Sequence, residues 1–166
     1  MSFILRHGDE NDVPGIFKLI KELAIFERAP EAVINTEKML KADGFGKNSI
    51  YKVVVAEAVD TNEIIGMALY YTAYSTWKGR ILYLDDLIVT ENKRRYGIGR
   101  MLINEVLKDA LESSVSQIRW QVLDWNMPAI EFYKSIGVEF DPEWINCKMS
   151  AKQIETYLQS ISKSAH

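Results

Sequence analysis

Residues 81–107 read ILYLDDLIVTENKRRYGIGRMLINEVL. The run opens on the stretch 81–89, apolar and branched except for Tyr83, Asp85 and Asp86, which predicts a strand covered on both faces apart from the two carboxylates. It closes with Ile98, Met101, Leu102 and Val106 at the spacing of one helical face, which predicts a helix from about Gly97 to Glu112. Between them lies Arg94-Arg95-Tyr96-Gly97-Ile98-Gly99. The first turn of a helix carries backbone N–H groups with no internal partner and a partial positive charge. Glycines there let a bulky anion approach the backbone, and the cations Lys93 to Arg95 add charge and phosphate-matching forks. The turn suits a pyrophosphate. The fingerprint G-x-G-x-x-G is not met, because Leu102 stands at the third glycine position, and no G-x-x-x-x-G-K-[ST] loop is present. At this level a surface turn with a solvated basic run stays open as the alternative.

Working outward, residues 3–7 predict an edge strand, and Val13, Ile16, Phe17, Ile20, Leu23 and Ala24 recur at helical spacing, with Asp9 or Asn11 as cap and Pro14 in the first turn. A short helix is predicted over 36–42, strands over 51–58, 63–74 and 80–89, and a strand over 117–123. A helix over 126–136 ends at Gly137, strands follow at 138–140 and 144–149, and a helix covers 151–161. The order β-α-α-β-β-β-α-β-α-β-β-α predicts an α+β fold, a mixed sheet of about seven strands with helices on its faces.

The 166 residues fit one domain, 1–166, with a tail after about 160 that frays. A net charge of −3 argues against nucleic acid or an anionic membrane as main partner. The single cysteine, Cys147, cannot form an internal disulfide and, in a predicted strand, reads as a buried thiol. No run of about 18 apolar residues suggests a membrane span. The N-terminus lacks a signal-type leader, so the expected location is cytoplasmic. His7 and His166 have no metal-ligand partners at suitable spacing, so no metal site is expected.

Asn126 and Tyr133 are seven residues apart on a predicted helix, within about 20° of one face. That face presents an amide and a phenol two turns apart. An N-cap and a core aromatic beside Phe132 would place the same two residues there.

Arg-x-x-Gly-x-Gly at 94–99, after an apolar strand and before an amphipathic helix, resembles the acetyl-CoA signature of the GNAT superfamily of N-acetyltransferases. The element order resembles that acyl-CoA N-acyltransferase fold, whose sheet is mostly antiparallel. Trp125-Asn126 through Phe132-Tyr133-Lys134 and Gly137 resembles the second signature. The resemblance implies acetyl-CoA as cosubstrate. It places backbone groups of Ile88 and Val89 along the pantetheine arm. The N–H groups of Tyr96, Gly97, Ile98, Gly99 and Arg100 fall on the phosphates, with Arg94 and Arg95 beside them. Asn126, Tyr133 and Lys134 contribute the rest of the cofactor site. Tyr133 would protonate the departing thiolate; a phenol pKa near 10 is close to that of an alkyl thiol, about 8.5 or somewhat higher. The acceptor amine must lose a proton, and its pKa of about 10.4 makes the free base scarce at neutral pH. Asp85 and Asp86 are the nearest candidates, pointing to opposite faces if the strand alternates. Asp85 is assigned as base, directly or through water, and Asp86 as a binder of substrate charge; a structural ion pair is the alternative for either.

Within the superfamily, LIKELA (19–24), ADGFG (42–46), YYTAYSTWKGR (70–80), ILYLDDLIV (81–89), RRYGIG (94–99) and VLDWN (122–126) resemble the diamine (spermidine/spermine) and thialysine N-acetyltransferases. By that resemblance Glu27, Trp77, Asp85 and Asp86 form the amine pocket, the acceptor is a small diamine, polyamine or lysine-like amine, attack is direct in a ternary complex, and the protein is a homodimer. Three departures bear on the acceptor. Asp85 stands where the family carries glutamate, so its carboxylate reaches about one methylene less far and a bridging water fits. Ser75 and Thr76 replace an aspartate and a proline, which weakens the case for a long polycation. Phe26 replaces a tyrosine, which removes a hydroxyl from the pocket. A GNAT enzyme with another acceptor (a protein N-terminus, an amino acid, an antibiotic amine) and a non-catalytic CoA-binding sensor are the competing readings.

Overall fold

The computed structural model describes residues 2–164, so His166 lies outside it. The chain divides into two compact units, Met1–Gln121 and Val122–His166.

The first unit is built on a five-stranded sheet in chain order: β1 (Phe3–His7), β2 (Lys52–Ala58), β3 (Ile64–Ser75), β4 (Gly79–Val89) and β5 (Ile118–Arg119). The first four strands pair antiparallel and β5 joins β4 in parallel. The sheet is therefore mixed and mostly antiparallel, as expected. On β2 the run Val53 to Ala56 is buried throughout, the mark of a strand covered on both faces. One cover is α1 (Val13–Phe26) with α2 (Glu37–Phe45): Ile16, Phe17, Leu19 and Leu40 pack with Val53, Val55, Met67 and Leu69. The other is α3 (Ile98–Glu112), whose Ile98 and Leu102 press on Gly66 of β3 so closely that a Cβ there would meet them at 3.3 and 3.2 Å. On that face Tyr70 Oη and Lys52 Nζ both donate to Asp109 Oδ2, at 2.6 and 2.9 Å. Each fully buried Leu or Ile contributes about 1.5–3 kcal/mol, so burial against the sheet, more than helix propensity, holds α1 and α3 in place.

The start of α1 is fixed by charge. Asp9 caps a short 3-10 turn over Glu10–Asp12, and Pro14 lies in the first turn of α1. Asp12, nearly excluded from solvent, accepts from both terminal nitrogens of Arg6 at 2.6 and 2.7 Å, while Arg6 Nε donates to Glu57 Oε2 at 2.7 Å. Burial opposes ionisation of Asp12, but the Arg6 hydrogen bonds and the Asp9 amide outweigh it and hold the carboxyl below its ordinary value.

The second unit contains α4 (Met127–Ser135) and α5 (Ala151–Ser164). Helix α5 runs three residues past its predicted end. Among the described residues five strands stand where about seven were expected. Of the predicted strand 117–123 only Ile118 and Arg119 pair, and 138–140 and 144–149 form no ladder among the described residues. Apolar content alone makes no strand without a partner edge to receive its N–H and C=O groups. Cys147, expected to be buried in such a strand, is exposed instead.

Candidate active site

Strand β4 breaks its register. Leu69 pairs with Asp86 and Tyr70 with Leu84, so Asp85 is the extra residue of a β-bulge. The bulge corrects the expectation that the two aspartates face opposite ways. Both line one cleft of about 520 Å³ between the sheet, α1 and α2, with Ile20, Asp43, Tyr51, Tyr71 and Thr72 among its walls. The ring of Tyr71 stacks on Tyr83 at 5.4 Å, and both phenols feel the charge of Asp85.

No cation among the described residues reaches these carboxylates. Among the described residues the side chains of Glu27, Asp43, Asp85 and Asp86 make no ion pair or hydrogen bond. Burial raises Asp85 and Glu27 above the usual carboxylate range. Asp86 is pushed up to about 7, first by burial and then by the charges of Asp85 and Glu27. Glu27 thus acts on Asp86 electrostatically, although it is not part of the cleft wall. Trp77 is not brought in: it stands 80% exposed at the tip of the β3–β4 hairpin, where Ser75 Oγ accepts from the N–H groups of Trp77 and Lys78.

The glycine turn enters α3 as a left-handed cap. Gly97 has φ of 79°, a conformation open to glycine at little cost, and no side chain caps the helix. The first intrahelical bond runs from the Met101 N–H to the Gly97 carbonyl at 3.1 Å, so the amides of residues 98–100 precede the helical ladder. A Cβ on Gly97 would meet nothing within 4 Å, and one on Gly99 only Val89 Cγ2 at 3.8 Å. The space over both glycines is open and the buried Ile98 anchors the turn beneath it. This geometry fits a diphosphate. Beyond Tyr83, β4 has no ladder partner on its β5 side among the described residues, which leaves the edge at Ile88 and Val89 open to an extended ligand. Arg94 is engaged within the loop: its Nε donates to the Val89 carbonyl at 3.0 Å and its guanidinium lies 5.2 Å from the Phe26 ring centroid. Phe26, read from sequence as a hydroxyl missing from the amine pocket, here supports that arginine. Arg95 takes φ of 69° and Tyr96 is 60% exposed.

In the second unit Asn126 is the N-cap of α4, its side-chain oxygen accepting from the Ala129 N–H at 3.4 Å. Its φ and ψ of −80° and 65° lie outside the helix, so the seven-residue wheel argument does not extend to it. Tyr133 is buried, its ring 5.3 Å from that of Phe132, and burial pushes its phenol up to about 12. Lys134 Nζ pairs with Glu131 at 2.9 Å.

A mixed sheet whose β4 edge is unpaired beyond Tyr83, followed by an open glycine turn into α3, suits an acyl-CoA-dependent acyltransferase. The chain belongs to the GNAT acetyltransferase family, whose model matches residues 17–138; acetyl transfer from acetyl-CoA to an amine is its reaction class. It is 40% identical over 146 residues to the thialysine N-epsilon-acetyltransferase of Bos taurus, covering 84% of this chain and 86% of that one. It is 35% identical over 145 residues to the enzyme of the same name from Caenorhabditis elegans, covering 86% and 88%. An integron cassette protein from the V. cholerae mobile metagenome superposes with a TM-score of 0.76 at 22% identity, covering 96% of this chain and 99% of that one, and so shares the fold. Among the described residues no helix is long and apolar enough to cross a membrane, and no His, Cys, Asp and Glu group could hold a metal.

Proposed function

We propose that this chain is a single catalytic domain that acetylates the side-chain amine of a small lysine-like or thialysine-type acceptor, by direct attack in a ternary complex with acetyl-CoA. The observation that carries this reading is the cleft: two aspartates brought to one side by the β4 bulge, with no cation among the described residues to neutralise them. Two unpaired carboxylates in a half-buried site favour a cationic ligand. Acetyl-CoA would be held by the amides of residues 96–100 and the β4 edge at Ile88 and Val89; it supplies the activated acetyl group. Asp85, the more solvent-reached of the pair, takes the amine proton through a water. Asp86 holds the acceptor's charge, and Tyr133 donates a hydrogen bond from its phenol to the leaving sulfur. Ser75 and Thr76, standing where the polyamine enzymes it resembles carry an aspartate and a proline, bear no charge, which supports a short acceptor over a long polyamine. The exposed Trp144, Ile145, Tyr157 and Leu158 of the second unit support a homodimer.

A panel of acceptors read by thiol release tests the substrate. Thialysine, lysine and ornithine are expected to exceed spermidine and spermine in kcat/KM by at least about tenfold. A preference for spermine refutes the short-acceptor reading. Coenzyme A binding with no turnover of any amine favours a non-catalytic sensor.

The Asp86 carboxyl gives the panel a pH signature. Its raised pKa means that it is largely protonated below about 7 and ionised above. Only the ionised form attracts a cation, so kcat/KM for the acceptor should rise as pH passes from 6 to 8. In Asp86→Asn that rise should be absent and the acceptor KM about tenfold higher. A rise of unchanged midpoint in the variant removes Asp86 from acceptor binding.

A further inference from the structure

Glu22 sits on α1, outside the cleft wall and outside the glycine turn. Its two carboxylate oxygens accept from the Thr90 hydroxyl at 2.7 Å and from the Glu91 N–H at 2.9 Å. These donors stand where the chain leaves the sheet. The Thr90 N–H makes a sheet-edge bond to the Ile65 carbonyl at 2.9 Å, and residues Glu91–Lys93 then form a 3-10 turn. Thr90, the N-cap, gives that turn no side-chain cap. The Glu91 amide is one of the turn's opening donors, which would otherwise need water. Glu22 takes it from another element, so α1 caps the turn from outside. One helical turn further on, Phe26 of α1 lies against the Arg94 guanidinium, whose Nε returns to the Val89 carbonyl. The segment from Val89 to Arg94 is thus fastened to α1 at both ends.

We infer that Glu22 is a positioning residue for acetyl-CoA: it fixes the direction in which the chain leaves β4 and hence the placement of the amides of residues 96–100. A carboxylate accepting two hydrogen bonds in a half-buried site is a stiff anchor. Helix α1 also carries Ile20, a wall of the acceptor cleft, so one helix sets both the cleft and the cofactor turn. The inference rests on the reading of that turn as the diphosphate site.

Glu22→Ala, Glu22→Gln and Thr90→Val are assayed well below their melting temperatures. Steady-state kinetics and calorimetry with coenzyme A are the readouts. Glu22→Ala is expected to raise the acetyl-CoA KM and the coenzyme A Kd about tenfold while kcat at saturation stays within about twofold. Glu22→Gln keeps a carbonyl for the Glu91 amide and should recover most of the loss; Thr90→Val should cost about threefold. A lowered Tm with an unchanged acetyl-CoA KM makes Glu22 a structural residue only and overturns the inference. If Glu22→Ala does not fold, unchanged KM in both Glu22→Gln and Thr90→Val overturns it equally. A wild-type chain that does not bind coenzyme A refutes the underlying site and this inference with it. A wild type that binds, beside Glu22 variants that bind as well, refutes this inference alone.

Discussion

Tyr133→Phe is expected to lower kcat by about 10²-fold, within the range contributed by a positioned general acid, while the Kd for coenzyme A moves by less than about twofold. The phenol is buried and pushed up to about 12, so it stays protonated at any pH at which the enzyme works. Complete transfer of its proton to a thiolate of pKa about 8.5 would be uphill by roughly 4–5 kcal/mol. Tyr133 is then best suited to donating a hydrogen bond that strengthens as charge builds on sulfur, an interaction worth most in the transition state. Its loss should therefore appear in kcat and not in ground-state binding. The substitution keeps the ring that packs beside Phe132, so the helix should remain folded. The phenol of this residue should also impose no alkaline limb on kcat below about pH 11, because burial has raised its pKa. Thiol-release kinetics with both substrates saturating, beside calorimetry with coenzyme A, check this. A variant with wild-type kcat strips Tyr133 of the acid role.

The strand, turn and helix over 81–107 were legible because each device there is local. A glycine at φ of 79° and an amphipathic stripe can be read from neighbouring letters. The bulge at Asp85 could not be. It depends on the register against β3, with Leu69 opposite Asp86 and Tyr70 opposite Leu84, and no glycine or proline adjoins Asp85 to mark the spot. Strict alternation therefore put Asp85 and Asp86 on opposite faces, and their shared cleft emerged only from pairing. Glu22 was missed for a related reason. In sequence it is one charge of LIKELA on a helix, indistinguishable from a solvated face; its donors lie 68 and 69 residues away. Phe26 was read by what it lacked, a hydroxyl, and not by the guanidinium it carries. The overcount of strands has the opposite origin: the apolar residues 144–149 have strand-like letters, and a ladder needs a second edge that letters do not show.

Asp85→Asn is expected to cost about 10²-fold in kcat, the scale of a general base, with the acceptor KM changed by less than about threefold. Asp86→Asn should instead raise the acceptor KM about tenfold and leave kcat within about threefold. The division follows from the bulge. Asp85 is the unpaired residue, reached by solvent, so a water can stand between its carboxylate and the amine. Asp86 is in the ladder, more enclosed, and raised to about 7 by burial and by its two acidic neighbours. An enclosed carboxylate of that pKa gains most from a cation that arrives and pairs with it. Asparagine is close in shape to aspartate, so either change leaves the bulge its volume and removes only the charge and the basic oxygen. The pH profiles separate the two roles. Burial lifts the Asp85 carboxyl above its ordinary value, so the acid limb of kcat, where the base becomes protonated, should lie above the usual carboxylate range. That limb should vanish in Asp85→Asn and persist in Asp86→Asn, whose acceptor kcat/KM alone should lose its dependence near pH 7. If kcat of Asp85→Asn keeps both its size and its acid limb, the proton leaves the amine by another route, and the bulge serves only to shape the cleft.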